Sequence, residues 1–173
     1  MVCKKTWIEA KLLGLKLNEP AKEIILGLIF GGVMLAANLA ITWLIVTYTS
    51  IPLDDGGGDS LFSSGSIFEM IAWVIVMFAV VGFSEELLFR GFLQRRMEIY
   101  FRDRSQSYKM LALIVTSIIF AAAHLDIVGL PTRFILGLFL GYLAQRRKYS
   151  LLGPSVAHGF NNSAVIVLVF FGF

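Results

Sequence analysis

The chain has 173 residues, of which 57% are hydrophobic and 16% charged, whereas a soluble domain carries about a quarter charged residues. With a mean hydropathy of +0.78 this excludes a large soluble domain and points to an integral membrane protein. The formal net charge of +3 sits in clusters between apolar stretches, which is a signature of membrane topology and not of nucleic-acid binding.

Residues 1–23 alternate charged with apolar side chains and hold no uninterrupted apolar run, so they read as a cytoplasmic amphipathic lead-in and not as a secretory signal peptide. Cys3 is the single cysteine, cannot form an intramolecular disulfide, and receives no role. Residues 24–173 read as one transmembrane domain built from five apolar stretches: Ile24–Tyr48, Phe68–Gln94, Met110–Leu125, Ile127–Gln145 and Leu151–Phe173. A helix rises 1.5 Å per residue and needs about 20 residues to cross a hydrocarbon core of about 30 Å, so all five are candidate spans.

Between the first two stretches lies a Gly- and Asp-rich connector, residues 49–66, without Lys or Arg. Its simplest reading is a flexible loop, with a metal site from Asp54, Asp55 and Asp59 as the minor alternative. Basic residues precede the first stretch (Lys4, Lys5, Lys11, Lys16, Lys22), follow the second (Arg95, Arg96, Arg102, Arg104, Lys109) and precede the fifth (Arg146, Arg147, Lys148). A tight turn around Asp126 is expected between the third and fourth. Because Lys and Arg concentrate on the cytoplasmic side, this alternation predicts N-terminus inside and C-terminus outside. Gly137 and Gly141, four apart in the fourth stretch, predict a close helix approach. The expected fold is therefore all-α, a polytopic transmembrane bundle of about five spans.

Inside the stretches the ionisable residues are few: Glu85, Glu86, Arg90, Arg133, His124 and His158. Each costs roughly 2.5–3.5 kcal/mol at a membrane centre on insertion scales, so such residues usually face the bundle interior and mark function. Counted upward from the nearest basic cluster, Glu85 and His158 lie at about 15 Å, and His124 and Asn162 at about 22 Å. Allowing for tilt, these depths are compatible with one shared layer. Within a helix, Glu86 and Arg90 share a face and can pair, while Glu85 points about 100° away and is left free. Phe120 shares a face with His124, and His158 with Asn162. Arg133 is expected to snorkel outward or pair with Asp126, and Asn161 to bond between helices.

"EELLFR", "FAAAH" and "HGFNN" fit, in order, the EExxxR, FxxxH and HxxxN motifs, and over residues 67–170 the chain resembles the CPBP family, which comprises the type II CAAX prenyl endopeptidases and related bacteriocin-processing and Abi proteins. The resemblance implies an intramembrane endopeptidase in which Glu85 and His124 activate a water, His158 and Asn162 stabilise the oxyanion, and Glu86 and Arg90 support the site. It also implies conflicting metal usage, since family labels often say metalloprotease while the glutamate-dependent mechanism needs none. Many members have about eight spans against about five here, which leaves the substrate class open.

The groups themselves support this chemistry. A carboxylate taken out of water holds a proton more tightly and suits a general base, an imidazole can return a proton to a leaving amine, and a carboxamide donor suits an oxyanion. A zinc set of Glu85, His124 and His158 with an open position is the alternative, but no HExxH is present and Glu86 is claimed by Arg90, so no cofactor is favoured. The expected partners are a peptide or protein substrate in or at the membrane and the lipid bilayer, with no nucleic acid, in the prokaryotic plasma membrane. The competing readings are a non-catalytic bacteriocin-immunity or partner-binding protein on the same scaffold, and a small transporter or proton relay.

Overall fold

A computed structural model describes residues 19–49 and 66–172. The expected lead-in, Cys3, and Asp54, Asp55 and Asp59 lie outside the described residues. Within them the chain is five helices and no strand: α1 Pro20–Thr49, α2 Ile67–Arg102, α3 Tyr108–Ala122, α4 Leu130–Arg146 and α5 Leu152–Phe170. This is the expected all-α bundle.

The boundaries differ from the sequence expectation at two places. The second apolar stretch does not stop at Gln94 but continues helical through Arg95–Arg102, because arginine, methionine and glutamate are good helix formers and the helix need not end where hydrocarbon does. The turn around Asp126 is a longer connection, residues 123–129, and His124 and Leu125 lie in it beyond the end of α3. By length and composition α1 and α2 qualify as membrane spans. With 15 residues α3 is shorter than a full crossing. Their outward faces are apolar, with Ile25, Trp43, Phe68, Ile75 and Val80 more than half exposed, a surface that a bilayer would solvate and water would not.

Small residues set the helix contacts. A Cβ at Gly27 would lie 2.7 Å from Gly153 O, and one at Gly31 3.0 Å from Ala157 O, so α1 runs alongside α5 at backbone contact distance. At the basic end, buried Glu23 of α1 accepts from Arg147 Nε at 2.8 Å, pinning α1 to the α4–α5 connection. A second close approach joins α2 to α5. A Cβ at Gly82 would come within 2.9 Å of Gly159 N, and one at Gly159 within 2.8 Å of Phe78 Cα. Two stretches of α2 flanking this crossing, Val76–Val81 and Leu87–Gln94, are wound as π-helix, and Gly82 N–H bonds Met77 O five residues back. Such widened turns recur at functional sites, and here they bracket Ser84, Glu85 and Glu86.

Along α2 and α4 a polar ladder repeats every four residues in one register. Arg90 Nη2 donates to Gly137 O at 3.2 Å, Gln94 Nε2 to Gly141 O at 3.1 Å, and Glu98 Oε1 accepts from Gln145 Nε2 at 2.8 Å. The glycines expected to allow close approach do so: a Cβ at Gly137 would meet Ser117 Cβ at 3.0 Å, and one at Gly141 would meet Gln94 Oε1 at 2.8 Å. With no side chain in the way, the long polar groups of α2 reach backbone carbonyls that would otherwise carry only their intrahelical bonds.

Candidate active site

Glu86 and Arg90 form the innermost layer. Arg90 Nη1 donates to Glu86 Oε1 at 2.7 Å with both side chains essentially unexposed, which is the pairing expected from their spacing. The guanidinium also stacks over the Phe120 ring, 4.5 Å from its centroid. Burying two charges is costly unless they are paired and further hydrogen-bonded, and here the Gly137 carbonyl and the ring add to the pair, while Glu86 Oε2 and Arg90 Nε have no hydrogen-bond partner among the described residues.

The structure adds a link that residue spacing did not foresee. Glu86 Oε1 also accepts from His158 Nδ1, at 2.9 Å, because the Gly82–Gly159 crossing brings the next turn of α2 against the start of α5. A carboxylate at Nδ1 fixes the ring's orientation and leaves Nε2 as the reactive nitrogen. His124 is fixed in the same sense by a different partner, since its Nδ1 donates to Phe120 O at 2.8 Å. Phe120 packs edge-on against both rings, at centroid distances of 4.9 Å to His124 and 5.7 Å to His158. It is a spacer holding the two imidazoles apart.

Both Nε2 atoms consequently face Glu85. Its Oε2 lies 3.9 Å from His124 Nε2 and 3.9 Å from His158 Nε2, and Oε2 has no hydrogen-bond partner among the described residues. A separation of 3.9 Å is too long for a direct hydrogen bond and suits a shared small molecule between the groups. In contrast to the sealed Glu86, Glu85 and His124 keep 28% of their side-chain surface exposed. Three residues that sequence depth placed in one layer are thus brought together in space.

Asn162 and its neighbour complete the wall. Asn161 Nδ2 donates to Asn162 Oδ1 at 3.1 Å, so the Asn162 oxygen is occupied and its own N–H groups are left to point elsewhere. Asn161 bonds along its own helix, where an interhelical bond was expected. Both amides, His124, His158, Phe120 and Met77 line a cavity of about 440 Å³ that extends toward the α3–α4 connection. Asn38 and Thr42 of α1 also line it; nothing in their sequence context signalled this, because α1 carries none of the motifs.

Zinc is the metal that the donor types would suit, but the spacing fits poorly. Tetrahedral zinc with bonds of about 2.0–2.1 Å places its ligand atoms roughly 3.3 Å apart, closer than the 3.9 Å found from Glu85 to either imidazole. Among the described residues no group of three His, Cys, Asp or Glu is disposed to hold a metal ion.

Comparison with known proteins adds two findings. The family model described as type II CAAX prenyl endopeptidase Rce1-like matches residues 67–164, which is 98 of 173 residues and includes Glu85, His124, His158 and Asn162 but not α1. An uncharacterized 24.3 kDa protein of Escherichia coli is 32% identical over 101 residues, covering 57% of this chain and 44% of that protein, so this chain spans less than half of its relative's length. No solved structure matches.

Proposed function

This chain belongs to the Rce1-like type II CAAX prenyl endopeptidase family, a membrane-embedded protease family, and on that premise we propose that it is a multi-pass intramembrane endopeptidase of the prokaryotic plasma membrane. Its N-terminus lies in the cytoplasm and it hydrolyses a peptide bond in a membrane-associated protein or peptide substrate. The observation that carries this reading is Glu85 Oε2 standing 3.9 Å from two imidazole Nε2 atoms whose Nδ1 atoms are both tied back.

In this reading a water between Glu85 and His124 gives one proton to Glu85 as its oxygen attacks the scissile carbonyl carbon. The carbonyl π electrons move to oxygen, and the oxyanion is met by the Asn162 N–H groups and, with His158 in its imidazolium form, by the Nε2–H of His158. Collapse restores the carbonyl and breaks the C–N bond, and the leaving amine takes a proton returned through Glu85 or His124. Glu86 keeps His158 oriented and Arg90 balances Glu86. All steps run on the protein's own groups. The wide donor spacing supports a metal-free mechanism, and so does the tie of Glu86 to Arg90 and His158, which leaves no second carboxylate to act as base beside a zinc-bound water.

Purified wild type and Glu85→Ala, assayed on an internally quenched, prenylated CAAX-type peptide in proteoliposomes with and without a chelator, test it. Wild-type cleavage that resists the chelator and disappears in Glu85→Ala is expected. Turnover surviving in Glu85→Ala would sink the reading, and no turnover by wild type would favour the non-catalytic alternative.

A further inference from the structure

The cavity has a cationic feature that the proposed chemistry leaves unused. Arg133, near the start of α4, lines it together with His124 and His158. Its Nη1 is bound by Asp126 Oδ2, and the other Asp126 oxygen accepts the Gly129 backbone N–H at 3.0 Å. Asp126 is therefore a fixed mount with both oxygens engaged. Gly129 makes the mount compact, because a Cβ there would collide with Arg133 Nη1 and Asp126 Oδ2.

This single-point attachment uses one corner of the guanidinium. Nε and Nη2, which share an edge, have no hydrogen-bond partner among the described residues. That edge carries two parallel N–H donors with the spacing of a carboxylate. The side chain is 30% exposed and lines the cavity. Among the described lining residues Arg133 is the only Lys or Arg. The rest of the lining offers amides, two imidazoles, threonine hydroxyls and apolar groups, with Asp126 as its one carboxylate and that already engaged by Arg133 and Gly129. A carboxylate entering such a space must find a cation or remain in water.

Resting on the endopeptidase reading above, we propose that Arg133 is a carboxylate-binding subsite whose free Nε–Nη2 edge receives a carboxylate of the substrate and thereby sets which peptide bond reaches Glu85. The carboxylate belongs either to the substrate's chain terminus or to an aspartate or glutamate side chain. Asp126 positions the guanidinium, and Gly129 lets it lie flat against the connection.

Three versions of one internally quenched peptide distinguish the sources: a free C-terminus with an acidic residue beyond the scissile bond, the same peptide amidated at its terminus, and the same peptide with that acidic residue made its amide. With wild type, one of the two neutralised peptides is expected to lose about 10- to 100-fold in kcat/KM, mostly through KM. Arg133→Gln is expected to cleave all three alike. Gly129→Ala, which keeps every charge but displaces the guanidinium, should also blur the discrimination, and serves if Arg133→Gln does not fold. Equal preference in wild type and variants, or no preference in wild type, overturns the proposal. Failure of the protease reading appears separately, as absence of cleavage; fluorescence anisotropy of the three peptides on Glu85→Ala and on the Glu85→Ala, Arg133→Gln double variant then makes the same comparison through binding. Weaker binding of one neutralised peptide that vanishes with Arg133 supports the subsite, and equal binding of all three overturns it.

Discussion

Two polar regions share helix α2 and differ in how tightly they are held. On the α4-facing side of α2, Arg90, Gln94 and Glu98 are buried and bonded at 2.7–3.2 Å to α4, to Glu86 or to Tyr149. One turn earlier, Glu85 is partly exposed and stands 3.9 Å from each imidazole. Buried side chains hydrogen-bonded across helices rigidify a fold, whereas a base within reach of two fixed rings, and bonded to neither, remains free to accept a proton. The contrast separates scaffold from chemistry within six residues of sequence, and Glu86 is the hinge between them because one oxygen serves both Arg90 and His158.

The comparison breaks most visibly on the loose side. Glu85→Ala and His124→Ala are each expected to lower kcat/KM by about 10²- to 10⁴-fold while the melting temperature in detergent stays within a few degrees. If either variant instead unfolds with unchanged specific activity, the assignment of roles is reversed. On the tight side, Arg90→Ala strands a buried carboxylate and is expected to cost about 3–5 kcal/mol, read as loss of folded yield and of unfolding midpoint. A variant of full stability would remove Arg90 from the scaffold.

At the junction, Gly82→Ala must push α2 away from the Gly159 backbone, for an expected destabilisation of about 1–3 kcal/mol accompanied by reduced turnover as Glu86 and His158 separate. A change in stability without a change in rate would show that the crossing does not position His158. Gln94→Leu tests the ladder away from the site: it removes one hydrogen bond to Gly141 O, is expected to cost about 0.5–1.5 kcal/mol, and should leave KM and kcat untouched.

The smallest effect concerns pH at the basic end. Burial first, and then the hydrogen bond to Glu98, push the Tyr149 phenol well above its usual range. Its proton is therefore held more tightly in the folded state than in the unfolded one. The stability this represents is complete below the ordinary phenol value of about 10 and declines as pH rises beyond it. Melting temperatures between pH 9 and 11 should fall more steeply for wild type than for Tyr149→Phe.

Much of this was legible in the residues. The five helices follow from five apolar stretches, the Glu86–Arg90 pair from a four-residue interval, the Arg133–Asp126 pair from their proximity to the same turn, and the common depth of Glu85, His124 and His158 from their distance to basic clusters. The ladder had a weaker trace: Arg90, Gln94 and Glu98 repeat every four residues, as do Gly137, Gly141 and Gln145, but nothing in either series names the other as partner. The contact of Asn38 and Thr42 with the cavity left no trace at all, since isolated polar residues in an apolar helix are compatible with any orientation.

The sequence by itself determined that a few ionisable groups sit in apolar stretches and that their separations along the chain are compatible with one layer, because helical rise and the cost of burying charge act along one chain and can be counted. Only the tertiary structure decided that Glu86 turns to His158, that Glu85 stands clear of both rings, and that Arg133 lines the same cavity as the rings. Those outcomes depend on the rotation and lateral approach of separate helices. Glycine contacts at Gly82, Gly137 and Gly159 set that approach, and which backbones meet at them is a property of the assembled bundle.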